Sequence, residues 1–204
     1  MRAWLILFVV LSIVANQVIA QEIVLQKSSD IRIIIDISGS MKKNDPKNLR
    51  LPAVEMLSKL LPGGSKAGIW TFGEFVNMLV KHRGVDESWR LEAKAKSSAI
   101  SSLGQFTNIG EALEKAAYDK GYLATDQYQT HVILMTDGMV DIDREPSVNE
   151  RERSRIINEI LPSYQQSGFI IHTISLSDKA DKKLMDKLAI ATGGQSVVAE
   201  TADE

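Results

Sequence analysis

Short apolar runs that end at an aspartate are the feature of this sequence that most limits its possible folds. Residues 30–35 are rich in isoleucine and are followed by Asp36, and residues 131–136 are followed by Asp137. Near-continuous runs of Ile and Val are typical of parallel strands that are buried on both faces. The same pattern predicts four further strands, at residues 67–72, 76–81, 169–175 and 195–198.

Helical periodicity separates the predicted strands. Apolar residues that recur at intervals of three and four predict helices at residues 49–61, 87–103, 109–123, 149–167 and 179–192. Alternating strands and helices require right-handed crossovers and a mostly parallel sheet. The predicted fold class is therefore α/β, with a doubly wound, mostly parallel central sheet flanked by helices. One domain is expected at residues 30–204, after a lead-in at residues 21–29.

Composition excludes several classes of function. The chain of 204 residues has no cysteine, which rules out disulfides, thiolate metal sites and a cysteine nucleophile. Its 24 basic and 26 acidic side chains are interspersed, so no basic surface is expected to neutralise the phosphates of a nucleic acid. Nucleic acid is therefore not an expected partner.

Residues 1–20 differ in character from the rest of the chain. Arg2 is followed by an apolar run at residues 3–15, two polar residues, and small residues at positions 18 and 20, which is typical of a secretory signal peptide cleaved after Ala20. An uncleaved membrane anchor is the alternative, since about 18 apolar residues suffice to span a bilayer. Two polar residues interrupt the run and favour cleavage. We therefore expect an exported protein, periplasmic or extracellular.

Polar side chains follow both of the strands that end at an aspartate. Asp36, Ser38 and Ser40 alternate along one segment, and Asp137 follows the later strand. Thr107, in a loop before a predicted helix, adds a hydroxyl. Because ligands of an open α/β sheet bind beyond the carboxyl ends of its strands, these side chains are expected to meet there. A set of oxygen ligands without His or Cys suits a hard cation such as Mg²⁺.

Three segments of the sequence together resemble a known family. DISGSM after the first strand, TNIGEAL at a helix start and ILMTDG at a later strand end are similar to three motifs of the von Willebrand factor type A domain. The match covers residues 30–198, and DISGSMKKNDPKNLR resembles the bacterial extracytoplasmic branch of the family. The resemblance implies a Rossmann-like fold and a metal-ion-dependent adhesion site. The residues that match the site are Asp36, Ser38, Ser40, Thr107 and Asp137.

The resemblance also implies how such a site works. In the family, the hydroxyls bind the metal directly, whereas the two aspartates act largely through water. Neutral direct ligands leave the cation much of its charge for an acidic side chain of a protein partner. The expected function is thus protein binding through Mg²⁺, or else Mn²⁺ or Ca²⁺, without catalysis.

Two other functions stay open at the level of sequence. A Mg²⁺-dependent phosphotransferase or phosphatase would use Asp36 as its nucleophile. That chemistry needs a second carboxylate two residues later, where this chain has Ser38, whose hydroxyl cannot transfer protons at neutral pH. An assembly or scaffold subunit of an envelope complex would use the same cation site within a permanent assembly.

Charged residues beside these motifs are interpreted as solvated. Three lysines, Lys42, Lys43 and Lys47, follow the first motif and would attract an acidic partner, although a plain solvated loop is the favoured interpretation. Asp141 and Asp143 are interpreted as a solvated turn instead of a second cation site, because the glycine and glutamate of an EF-hand loop are missing.

The last four residues resemble the start of a helix. Thr201 and Glu204 have the spacing of a capping box. Either the chain is a fragment cut where the last helix of the domain should begin, which we favour, or these residues form a solvated acidic tail. A membrane tether through the N-terminus or through a missing C-terminal segment stays open.

Overall fold

A six-stranded sheet organises the fold. The computed structural model describes residues 27–118, 127–177 and 180–199. Across the sheet the strand order is β3-β2-β1-β4-β5-β6, and every neighbouring pair is parallel except β2 with β3. The strands are β1 (Ser28–Asp36), β2 (Lys66–Phe72), β3 (Val76–Gly84), β4 (Tyr128–Thr136), β5 (Ile170–Ser175) and β6 (Ser196–Val198). The C-terminal ends of β1 and β4 therefore lie side by side.

Helices connect the strands and cover the sheet. They are α1 (Met41–Asn44), α2 (Arg50–Leu60), α3 (Glu87–Ser97), α4 (Ile109–Ala117), α5 (Pro146–Arg155), α6 (Leu161–Gln166) and α7 (Lys182–Ala191). A π-helical turn at Ile156–Ile160 joins α5 to α6. Three helices begin where a side-chain oxygen accepts the N–H three residues later, those of Asp86, Asn108 and Asp181, at 2.7, 3.1 and 3.0 Å.

Each face of the sheet has its own apolar core. Ile34 and Leu134 are buried against residues of α4, α6 and α7 on one face. Ile33 and Ile35 are buried against residues of α2 and α3 on the other. Each isoleucine buried in this way contributes about 1.5–3 kcal/mol of transfer free energy. Burial on both faces explains why β1 is a continuous run of isoleucine instead of an alternating pattern.

The predicted fold class is confirmed, with differences in detail. The helix predicted to run to residue 103 ends at Ser97, because the following segment must extend to reach the loop after β1, where the N–H of Gly104 donates to the carbonyl of Ile37 at 2.8 Å. The short helix α1 was not predicted. The strand β3 is antiparallel because it returns from β2 in a hairpin instead of a crossover.

Some predictions fall outside the residues that the structure describes. They are the signal peptide at residues 1–20, most of the lead-in at residues 21–29, the end of the helix predicted at residues 109–123, the start of the one predicted at residues 179–192, and the capping box of Thr201 and Glu204. Within the described ranges, no helix has both the length and the apolar character needed to cross a membrane.

Candidate metal centre

Asp36, the last residue of β1, is fully buried and held by two hydrogen bonds. Its Oδ1 accepts the N–H of Ser38 at 2.8 Å, and its Oδ2 accepts the hydroxyl of Thr136 at 2.6 Å. The Thr136 Oγ1 atom in turn accepts the N–H of Gly138 at 3.2 Å. The ends of β1 and β4 are thus tied together through this carboxylate.

A chain of polar side chains continues from there to the surface. The hydroxyls of Ser38 and Ser40 lie 3.0 Å apart, and the Ser40 hydroxyl donates to Oδ1 of Asp137 at 2.9 Å. The other carboxylate oxygen of Asp137 accepts the amide N–H of Asn44 at 2.9 Å. Asp137 is buried, whereas Ser40 is exposed. The arrangement therefore opens to solvent on the side of Ser40 and α1.

Thr107 reaches the same place from the loop before α4. Its hydroxyl oxygen lies 3.6 Å from the point that a Cβ on Gly138 would occupy. Its backbone exchanges two hydrogen bonds with Asp141, each N–H donating to the other's carbonyl. The preceding residue, Phe106, has a φ of 54°, which is rare for an aromatic residue and turns the chain sharply into the site. All five residues predicted for the site are thus brought together at the C-terminal ends of β1 and β4.

Close backbone packing holds these loops against each other. A Cβ on Gly104 would lie 2.9 Å from the carbonyl oxygen of Ile37, and one on Gly73 would lie 3.1 Å from Cα of Gly104. Both contacts are with backbone atoms, so no side-chain rotation can relieve them. The loop that carries Thr107 can approach the loop after β1 because glycine stands at these positions.

Arg50, at the start of α2, lies buried beneath the first motif. Its Nε donates to the carboxylate of Asp45 at 2.7 Å, and one Nη donates to the backbone carbonyl of Asp36. The other Nη donates to the hydroxyl of Ser102 at 2.9 Å, and to the side chain of Asn48. A single guanidinium therefore fixes the end of β1, the loop after α1 and the loop that leads to Thr107 relative to one another.

The electrostatics of the site favour the binding of a cation. Burial raises the pKa of Asp36 to about 6, although hydrogen bonds from Ser38 and Thr136 oppose the rise, and the charge of Asp137 adds to it. Within the described part of the chain, neither Asp36 nor Asp137 forms an ion pair with a Lys, Arg or His side chain. Buried carboxylates are normally paired or bound to a metal, because an uncompensated buried charge is costly.

The donor set fits a hard divalent cation. Among the described residues, no three carboxylate, imidazole or thiol side chains meet at one point. The candidate centre instead combines the two aspartates with the hydroxyls of Ser38, Ser40 and Thr107. Oxygen donors of this kind suit Mg²⁺, Mn²⁺ or Ca²⁺.

Sequence reasoning missed Asn44, Arg50 and Thr136. Thr136 stands directly before the predicted Asp137, and its place at a strand end was a usable signal. Arg50 stands at the start of the helix predicted at residues 49–61, and an arginine that is buried needs several acceptors. Nothing in the sequence indicated that Asn44 would contact Asp137.

Comparisons with known proteins identify the family of this chain. Residues 30–204 match the family model described as the von Willebrand factor type A domain. None of the curated protein sequences matches the chain.

Solved structures that resemble the chain include three whose sequences are 14–22% identical to it. A von Willebrand factor type A protein from Catenulispora acidiphila is 21% identical, with a TM-score of 0.64 over 86% of this chain and 40% of that one. The proximal thread matrix protein 1 of the mussel byssus, with a zinc-occupied MIDAS motif, is 22% identical, with a TM-score of 0.64 over 87% and 43%. The vWF domain of the type V pili tip protein Mfa5 from Porphyromonas gingivalis is 14% identical, with a TM-score of 0.64 over 85% and 90%.

The chain spans about two fifths of the length of the first two of these proteins. At such identities, the likeness to solved structures shows the fold alone. The family model, which covers most of the sequence and both motif-bearing strand ends, shows more. The chain belongs to the von Willebrand factor type A domain family.

Proposed function

We propose that this chain is an exported protein-binding module of the bacterial extracytoplasmic type, which captures an acidic side chain of its partner through a divalent cation. Mg²⁺ is the first choice, with Mn²⁺ and Ca²⁺ as alternatives. The observation that carries the proposal is the pair of buried carboxylates, Asp36 and Asp137, that share one site and have no cationic partner among the described residues. A bound cation supplies the missing charge and an attraction for a further carboxylate.

The residues divide into two roles. The hydroxyls of Ser38, Ser40 and Thr107 would hold the ion without neutralising it. Asp36 and Asp137, whose oxygens already accept hydrogen bonds from neighbouring groups, would balance part of the charge. A pair of unit charges at 4 Å is worth about 1 kcal/mol in water and about 4 kcal/mol at an effective dielectric constant of 20. Partial exclusion of water from the edge of the site therefore favours the capture of a partner's Asp or Glu.

The relatives support a binding role by analogy. The mussel protein contains zinc at its MIDAS motif, and Mfa5 is a pilus tip protein. Export is supported by the signal-like pattern of residues 1–20. Cell fractionation tests it: recovery of a shortened protein in the periplasm or medium would support export, and recovery in the cytosol would contradict it.

An enzymatic role is disfavoured by the setting of Asp36. The side chain is fully buried, and both of its oxygens accept hydrogen bonds, so a nucleophilic attack would first have to break them. Ser38 still stands where a phosphotransferase needs its acid and base. We therefore propose no catalytic residue. Phosphatase activity that disappears in Asp36→Asn would contradict this view.

Calorimetric titration of the purified domain with Mg²⁺, Mn²⁺ and Ca²⁺ tests the cation site. Ser40→Ala removes an exposed hydroxyl from the site and is expected to weaken binding by about 10- to 100-fold. Ser98→Ala removes an exposed hydroxyl at the end of α3 that donates to the carbonyl of Ala95 at 3.3 Å instead of to a site residue, and is the matched control. The proposal fails if no ion binds, or if both variants bind as the unaltered protein does.

Capture of proteins from an envelope extract, with and without chelator, then separates the binding module from a scaffold subunit. A reversible module is expected to release its partner when the cation is removed. A permanent assembly subunit is expected to retain its partner through chelation.

A further inference from the structure

Large apolar side chains are exposed on each of three loops at the candidate metal centre. Phe75, Leu103 and Met139 are 68%, 75% and 62% exposed. We call these three residues the apolar collar. Exposed apolar residues that stand singly need no explanation, but a group of them around a polar centre marks an interaction surface.

Two members of the apolar collar are next to site residues in the chain. Met139 lies two residues after Asp137. Leu103 directly precedes Gly104, which forms an isolated parallel bridge with Ser38. Both side chains therefore stand on loops whose backbones touch the site.

Phe75 reaches the same end of the sheet through the turn between β2 and β3. Its carbonyl accepts the N–H of Gly73 at 3.3 Å, and the carbonyl of Gly73 accepts the N–H of Asn108, next to Thr107, at 3.1 Å. The turn thus packs on the loop that presents the Thr107 hydroxyl. With Leu103 and Met139, Phe75 therefore places exposed apolar side chains on three loops at this end of the sheet.

The charges at this end of the sheet are unevenly placed. Lys42 and Lys43 are exposed on α1, directly after Ser40, whereas the exposed carboxylates of Asp141 and Asp143 lie beyond Met139. An acidic side chain is therefore attracted to the α1 side of the opening and repelled from the far side. Apolar contacts that exclude water would strengthen that attraction, because it grows as the local dielectric constant falls.

We propose that the partner of this site is a protein segment in which one Asp or Glu is flanked on both sides by large apolar side chains, which pack on the apolar collar while the carboxylate meets the cation. This inference rests on the proposed function and adds the chemistry of the flanking residues. Central contacts surrounded by water-excluding apolar side chains are the usual arrangement of strong protein interfaces.

Three fluorescent peptides test the proposal with the complete domain in saturating Mg²⁺. They contain Leu-Glu-Phe, Ser-Glu-Ser or Leu-Gln-Phe between identical glycine-rich ends, and binding is measured by fluorescence polarisation up to about 1 mM peptide, the range of weak short-peptide affinities. The Leu-Glu-Phe peptide is expected to bind at least about tenfold more tightly than either of the others.

Surface variants locate the effect. Leu103→Ser, Phe75→Ser and Met139→Ser are each expected to weaken binding of the Leu-Glu-Phe peptide by about three- to tenfold, because each removes an apolar contact, with Mg²⁺ affinity unchanged. Ile190→Ser is the matched control, since Ile190 is 75% exposed near the end of α7, at the opposite end of the sheet. Exposed positions of this kind tolerate serine without loss of the fold.

The outcomes separate this inference from the proposed function. Three outcomes would overturn the inference that the apolar collar contacts the partner, while Mg²⁺ binding stands. They are equal binding of the Leu-Glu-Phe and Ser-Glu-Ser peptides, no binding of any peptide, and collar variants that bind the Leu-Glu-Phe peptide as Ile190→Ser does. Failure of Mg²⁺ itself to bind would overturn both.

Discussion

Replacement of Asp36 by asparagine is expected to affect the metal-free and the metal-bound protein in opposite directions. Burial, with a smaller addition from the charge of Asp137, raises the pKa of Asp36 from 3.8 to about 6. The gap between these pKa values is equivalent to about 3 kcal/mol. This is the free energy by which an ionised Asp36 destabilises the metal-free fold, and asparagine removes it.

The contribution of the Asp36 carboxyl to the stability of the metal-free fold depends on pH. Below pH 3.8 the carboxyl is protonated in both the folded and the unfolded chain, so it contributes nothing to the pH dependence of stability. As the pH rises from there to about 6, the unfolded chain loses its proton first and is stabilised. Above that range both states are ionised, and the full cost to the folded state persists.

Asparagine also loses an interaction. Its amide nitrogen cannot accept the Thr136 hydroxyl, which now donates to Oδ2 of Asp36, and the loss costs about 1 kcal/mol. The net gain at neutral pH is therefore about 2 kcal/mol, or about 4–8 °C in melting temperature for a domain of this size. The same substitution is expected to abolish stabilisation by Mg²⁺.

Thermal unfolding measured with EDTA, at about pH 7.5 and about pH 4, and again with Mg²⁺ at the higher pH, checks both signs. Glu150→Gln, which neutralises an exposed carboxylate, is the control and is expected to change little. If Asp36→Asn folds but, in EDTA at the higher pH, melts at a lower temperature than the unaltered protein, then an ionised Asp36 does not destabilise the metal-free fold. If Mg²⁺ still stabilises it, Asp36 is outside the cation site.

Three further predictions concern the site and its support. Because protons compete with metal for Asp36, Mg²⁺ affinity measured by calorimetry should be about tenfold weaker at about pH 5 than at neutral pH, and a flat profile would contradict the pKa of about 6. Arg50→Met leaves the buried Asp45 carboxylate without its ion-pair partner and should lower the free energy of unfolding, measured in urea, by about 3–5 kcal/mol. A loss below about 1 kcal/mol would show that the guanidinium is dispensable. Gly104→Ala places a Cβ 2.9 Å from the Ile37 carbonyl oxygen and should weaken Mg²⁺ binding. Gly63→Ala is the control, because a Cβ there has no atom within 4 Å, and equal Mg²⁺ affinities of the two variants would refute the packing argument.

The fold was predictable because its signals are local. Runs such as residues 30–35 and 131–136 show both that a strand is present and that its two faces are buried, and the alternation with helices restricts the topology. The aspartates at the strand ends then follow from the general rule for open α/β sheets. The position of Thr107 was less constrained by local pattern, because its approach depends on Phe106 adopting a left-handed φ and on the glycines that let two loops touch.

The parts that escaped prediction depend on distant contacts. The hydrogen bonds of Arg50 join it to Asp36 and Ser102, and those separations in sequence carry no periodic signal. Asn44 contacts a residue 93 positions away. The early end of α3 has a similar cause, because tertiary contacts of Gly104 override the helical pattern of the preceding residues.

The paired backbone hydrogen bonds between Thr107 and Asp141 affect both the rate and the affinity with which the site binds an ion. A centre assembled from separate stretches of chain ordinarily loses conformational entropy as each stretch is ordered. Here the loop with Thr107 and the loop after β4 are already coupled, so ordering one also orders the other. Ion uptake should accordingly be a single concerted transition with little structural reorganisation.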